Sequence, residues 1–275
     1  MSEIQQNSIK TPFFREGVPN VDSIYNEINR NWILSAPTSP YSPDETLEIV
    51  FDSTSISAMS SVPQPWIELL NAQEARSGSL NWNALWKSTL SSFPALDDFL
   101  SKKCIGIGLE KCYDGAPCLL YFAYGLDNNL IAFRGAPPLN PHKSTLEENV
   151  FNQLPSYFQH FYSNVHNGFG RLVFPCNMPY SLKCVPRLSS LVSDREISPT
   201  LSHSYRVNDV FLLADYSGAG DMFAFDVRKL ARGDDNCAAI YLHETPSEVD
   251  FDQNIRSSFN DLLDFTFSYL QLRND

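Results

Sequence analysis

The chain has 275 residues, 43% of them hydrophobic and 13% aromatic. That is enough apolar material for one large domain or two ordinary ones, and too much for a disordered chain. Its net charge of −12 argues against nucleic-acid binding, because neutralising phosphates takes a basic surface. No run approaches the ~20 apolar residues that a membrane helix requires. The opening MSEIQQNSIK lacks the basic-then-apolar pattern of a secretion signal, so a cytoplasmic, membrane-free protein is expected.

In VDSIYNEINRNW (21–32), Val21, Ile24, Tyr25, Ile28 and Trp32 share one helical face behind Asn20 as N-cap. The three prolines of 36–46 make a loop, and LEIVF (47–51) reads as a short strand. Pro65 can open a helix through PWIELLNAQEAR, and Leu85, Trp86 and Leu90 mark another that stops at Pro94 before ALDDFLSKK. CIGIGLEKCY, PCLLYFAYG and NLIAFRG then read as an antiparallel meander. GAPPLNPHK (135–143) is the best linker in the chain, which places a boundary between an N-terminal α+β region, 1–140, and a second unit, 145–275.

The second unit opens with Ser144/Glu147 and Thr145/Glu148 as capping pairs for TLEENVFNQL. Pro155 starts another helix, in which Tyr157, Phe158, Phe161, Tyr162 and Val165 recur at helical spacing, and Asn167-Gly168 supplies a left-handed stop. RLVFP reads as a strand, and 176–205 takes no assignment. The strands DVFLLADY, DMFAFDVRK and CAAIYLHE follow, the second with Phe223, Phe225 and Val227 on one face. A closing helix buries Ile255, Phe259, Leu262, Leu263, Thr266 and Leu270. This order gives an α+β fold with an antiparallel sheet flanked by helices.

The residues offer little chemistry. Gly218 and Gly220 lack the third glycine of a dinucleotide loop and are followed by a strand rather than by a helix N-terminus. They read as a hairpin connection, Ser217–Gly220. The five histidines (His142, His160, His166, His203, His243) and six cysteines (Cys104, Cys112, Cys118, Cys176, Cys184, Cys237) show no metal-ligand spacing. Cys176 and Cys184 flank a loop that a disulfide could staple, but with no export signal the thiols are expected to be free. No GxSxG or Walker motif occurs, and no cofactor is expected. Asp215, Asp221 and Asp226 lie close in sequence across the proposed hairpin and could do paired-carboxylate catalysis, but bracing of the turn is the simpler role for them.

Several second-half features form an ordered set: Leu154-Pro155, Tyr157, Asn167-Gly168, Ala214-Asp215, Gly220-Asp221, Phe223, Phe225, Asp226 and Ser258-Phe259. This set resembles the SUKH superfamily, which includes yeast cell-wall-assembly regulators and many bacterial immunity proteins. The likeness covers about 145–275. The stretch between Gly170 and Arg206 is long for that family, and residues 1–140 have no counterpart in it. The resemblance implies an α+β fold, no catalysis, and binding to a cognate toxin, often a nuclease or other effector passed between competing cells. A regulatory or scaffold module of the same fold is the alternative, and a hydrolase using the clustered aspartates is a third. The family carries no contact residue over to this chain. From the residues alone, the loop Tyr216–Asp221 and the acidic run Glu244, Glu248, Asp250 and Asp252 are the candidate contacts for a basic partner.

Overall fold

The computed structural model describes residues 48–50, 55–56, 59, 61–74, 80–111, 116–139, 151–171, 178–182, 185–190, 205–216, 221–241, 249–272 and 274. The expected helices over 21–32 and through most of 145–154, the possible Cys176–Cys184 pair and the connection 217–220 lie outside these residues.

Helices α1 (Gln64–Glu74), α2 (Trp82–Ser92) and α3 (Pro94–Asp98) come first. A π-helical turn, Phe99–Lys103, extends α3. Pro94 begins α3 because its missing N–H is one that a first helical turn leaves unpaired anyway. The next N–H, of Ala95, donates to Asn260 Oδ1 at 2.9 Å, from a helix 165 residues further along the chain. Strands β1 (Glu48–Val50), β2 (Gly106–Lys111), β3 (Pro117–Tyr124), β4 (Leu130–Gly135) and β5 (Phe169–Arg171) form one antiparallel sheet in that order. The expected meander is therefore present. Every residue of β3 is buried, as an unbroken run such as PCLLYFAY demands of a strand covered on both faces. Gln73 ties α1 to β2, accepting from Ile107 N–H at 2.7 Å and donating to Ile107 C=O at 2.8 Å.

In the second half, α4 (Ser156–His160) runs into a π turn, Phe161–Val165. Phe158, Phe161, Tyr162 and Val165 are buried, as their spacing predicts. Gly168 holds the expected left-handed stop with φ +94°. It is also pressed against the Ser181 backbone, where a β-carbon would fall within 3.0 Å of Ser181 N. Of the strand expected at 171–175, Arg171 belongs to β5, where Phe169 and Gly170 also pair with β4, and 172–175 lie outside the described residues.

A second antiparallel sheet holds β6 (Val210–Tyr216), β7 (Asp221–Asp226), β8 (Asn236–Tyr241) and β9 (Gln253–Asn254). β6 and β7 pair antiparallel up to Tyr216↔Asp221, so strands flank the glycine pair on both sides. β7 ends at Asp226, earlier than its period-two pattern suggests, and Val227 and Arg228 enter a short helix, α5 (Val227–Leu230). The reason is local. Asp226 Oδ1 accepts the Arg228 N–H at 2.8 Å, an N-cap that turns the chain, and Oδ2 meets the Arg228 guanidinium at 3.0 Å. Arg228 also reaches Asp209 at 3.0 Å. Asp226→Ala is expected to lower unfolding stability by about 2 kcal/mol, from a lost cap and a lost charged hydrogen bond. Urea denaturation measures this, and an unchanged midpoint would refute the bracing role.

The final helix, α6 (Ile255–Tyr269), buries Ile255, Phe259, Leu262, Leu263, Thr266 and Phe267. Leu270, expected on this stripe, is only half-buried, since the helix ends one residue before it and Phe267 fills the core instead. One core cluster draws on both halves of the chain, from Trp66, Trp86 and Phe99 to Phe158, Phe223 and Phe259. β5 likewise crosses the proline-rich 135–143 to join the first sheet.

The stretch without a sequence assignment links the two sheets. Phe169 N–H donates to Pro179 C=O at 3.0 Å, and Tyr180 N–H donates to Leu213 C=O of β6 at 2.8 Å. Further on, Leu212 N–H donates to Pro186 C=O at 3.0 Å. A smaller cluster, Leu188, Tyr205, Val207, Val249 and Phe251, covers the face of the second sheet turned away from α6.

Candidate binding surface at the end of the second sheet

α6 lies along the second sheet. Its Phe259 ring meets Phe223 at 5.5 Å, and six residues later Phe265 meets Tyr216, the last residue of β6, at 5.2 Å. The Phe265 and Tyr216 rings are within 16° of parallel, and Tyr269 continues the stack beyond Phe265 at 6.1 Å and 23°. Three rings thus form a ladder across the hairpin end and the helix. Phe265 is 41% exposed and Tyr269 is 74% exposed. The turn after β3 brings a third exposed apolar side chain, Leu126, to the same end of α6, because Leu126 N–H donates to Gln271 C=O at 2.9 Å. Among the described residues, these three are the large hydrophobic side chains left in water, and the stacked rings carry meaning that a lone exposed side chain does not.

Carboxylates surround the ladder. Asp221 pairs with Tyr216 and so shares its face of the hairpin. Asp261, Phe265 and Tyr269 follow at four-residue intervals along one exposed line of α6, with Asp264 beside them. Among the described residues, neither Asp261 nor Asp264 has an ion-pair partner. No basic residue stands in the last turn of α6, where the helix carbonyls concentrate negative potential. The surface is apolar at its centre and negative around it.

The structure separates the sequence-predicted contacts. Tyr216 is a rung of the ladder, and Asp221 lies beside it as its strand partner. Asp250 and Asp252 are exposed on either side of buried Phe251, just before β9 and the start of α6. Ten helical positions, a rise of about 15 Å, divide Ile255 at that end from Phe265 at the ladder. Glu244 and Glu248 lie outside the described residues. Asp215 pairs with Met222 and points to the opposite face from Asp221, where it accepts a hydrogen bond from Tyr180 Oη. Asp226 is four strand positions from Met222, about 13 Å, and is already engaged as a cap. Asp215 and Asp221 thus face opposite sides of the sheet, and Asp226 stands at the far end of β7 from Asp221.

Comparison of the chain with protein-family models, with curated proteins and with solved structures returns no match.

Three residues of the surface, Phe265, Tyr269 and Leu126, were not singled out by the sequence reading. A signal for two of them exists: aromatic residues at 265 and 269 fall off the buried stripe, on the line that carries Asp261. Leu126 has no such signal, since only the return of the chain after α6 brings it there.

Two buried polar sites lie elsewhere. Glu110 on β2 is fully buried, and burial pushes its carboxyl above the usual range against the pull of Arg134, 3.5 Å away on β4. His166, fully buried, stands among Trp66, Trp86, Tyr121, Phe161 and Phe169 at ring-centroid distances of 5.2 to 6.2 Å. Its Nδ1 faces the Ala136 carbonyl at 3.3 Å, and a carbonyl only accepts, so Nδ1 carries the proton. Nε2 then accepts from Tyr121 Oη at 2.7 Å. Burial holds this imidazole neutral, with its pKa lowered to about 3. Among the described residues no group of three or more His, Cys, Asp or Glu side chains is placed to hold a metal ion. No described helix is long and apolar enough to cross a membrane.

Proposed function

We propose that this chain is a protein-binding protein that acts without catalysis, an immunity protein of the SUKH kind that neutralises a basic toxin. The observation that carries this reading is the half-exposed ladder Tyr216–Phe265–Tyr269 set among the carboxylates Asp221, Asp261 and Asp264. Aromatic anchors inside a polar rim are the anatomy of a protein interface. The negative rim, on a chain of net charge −12, speeds encounter with a basic partner. The ordered set of residues over 145–275 that resembles the superfamily supports the same reading. Its Asn167-Gly168 and Asp226 hold backbone turns, which is what an inherited framework would keep while its contact surface varies.

The test is co-expression with the toxin encoded beside this gene. Rescue of growth and a stable complex are expected, and Phe265→Ala with Tyr269→Ala should weaken that complex by at least about tenfold, as truncated interface anchors do. Failure to rescue against any neighbouring toxin would overturn the reading. Capture of a defined non-toxin partner through the same surface would replace it with the regulatory-module alternative.

A further inference from the structure

Resting on that reading, we propose that the ladder is an arginine reader: it takes a planar guanidinium from a basic segment of the partner onto the open rings of Phe265 and Tyr269. Three observations narrow the occupant to this chemistry. The rings are near-parallel and the outermost, Tyr269, is the most exposed, so the stack is open to one more flat group at its end. Carboxylates, Asp221, Asp261 and Asp264, stand around it, and among the described residues the last turn of α6 carries no basic side chain. A cation is therefore favoured both by the ring faces and by the local potential.

Other occupants fit less well. A second copy of this chain would set the same negative rim against itself across a two-fold axis, on top of a net charge of −12 per chain. A nucleic acid offers bases that stack, but its phosphates would face the carboxylates. An aliphatic segment would cover the rings and leave Asp261 and Asp264 desolvated without partners. Arginine satisfies both demands, since its weakly hydrated plane stacks on an aromatic face while its N–H groups reach carboxylates. Lysine, a strongly hydrated point charge, meets only the second.

The experiment uses the full chain and fluorescein-labelled hexa-arginine, hexa-lysine and glycine–serine peptides, with binding read by fluorescence anisotropy at about 0.15 M salt. Hexa-arginine should bind about fivefold more tightly than hexa-lysine, and the neutral peptide should not bind. Tyr269→Ala should erase the arginine preference while leaving a residual affinity common to both cations. Asp261→Asn with Asp264→Asn should weaken both cationic peptides alike and keep the preference. Equal affinity for the two cations, or a preference that survives Tyr269→Ala, would overturn the proposal. Tyr269 is 74% exposed, so the variant folds. An unchanged thermal midpoint verifies that, and Tyr269→Leu, which keeps the apolar bulk and loses the ring, repeats the test independently. Toxin neutralisation without arginine preference would sink this inference and leave the functional reading standing. Arginine preference with no toxin partner would do the reverse.

Discussion

Gly135→Ala is expected to destabilise the protein by about 3 kcal/mol, at the upper end of what overpacking costs. A β-carbon at 135 would lie closer than 3.0 Å to three atoms of the His166 ring. That ring cannot yield. It is fully buried and wedged between Trp66, Trp86 and Phe169, and hydrogen bonds at both nitrogens fix its plane. Any shift that relieves the clash lengthens the bond to Tyr121 or to Ala136. The same close approach lets Asn167 N–H donate to Ala136 C=O at 3.1 Å, which ties the end of β4 to the chain just before β5. Chemical denaturation measures the effect, and the double variant with His166→Ala separates causes. If the clash is the reason, the second substitution recovers most of the loss. Full additivity of the two would show that Gly135 matters for something else.

The second large effect is acid lability centred on His166. Its pKa is about 3 in the folded protein and near 6.5 in an unfolded chain. Folding therefore favours the neutral imidazole, and the unfolded state binds the extra proton. Stability is complete above pH 6.5 and falls as pH drops from there toward 3, by about 1.4 kcal/mol per unit. At pH 5 the loss is about 2 kcal/mol. The groups that touch the ring among the described residues are aromatic rings, the Tyr121 hydroxyl and the Ala136 carbonyl, none of which can neutralise an imidazolium. Glu110 works in the opposite sense, because its raised carboxyl favours the folded state at low pH. The clean readout is thus the difference between the wild-type chain and His166→Gln, whose side chain stays neutral throughout. Urea midpoints at pH 7 and pH 5 should converge for the variant relative to wild type. Identical pH slopes for the two proteins would exclude His166 as the acid-sensitive group.

His166 also shows why sequence spacing missed the most constrained polar group in the core. A histidine two residues before Gly168 looks like part of a loop stop. It becomes a buried acceptor only because the π turn Phe161–Val165 delivers it inward, its N–H donating to Phe161 C=O at 2.9 Å. Tyr121 then comes from a strand 45 positions earlier. Nothing in either local pattern records that meeting. The aromatic ladder was half legible. Tyr216 stood out as an aromatic at a hairpin end, whereas Phe265 and Tyr269 were visible only as residues left off a buried stripe. The stacking of Phe265 on Tyr216, which Tyr269 extends, depends on α6 running along β6 and β7.

Where the pattern of a single element carries the information, the sequence alone determined the outcome. The meander of β2, β3 and β4, the pairing of strands around Gly218 and Gly220, the left-handed Gly168 and the buried stripe of α6 all follow from periodicity and backbone sterics within a few residues. These set the α+β class with antiparallel sheets. Tertiary structure decided what distant segments do together. It routed β5 across the proline-rich 135–143 into the first sheet, and used the patternless 178–182 and 185–186 as the seam to the second. It also split Tyr216 and Asp221 from Asp250 and Asp252, and closed a ladder of rings in a rim of carboxylates. The physical reason is that local propensity is a sum over neighbours in sequence, whereas a surface or a buried hydrogen bond is made by neighbours in space.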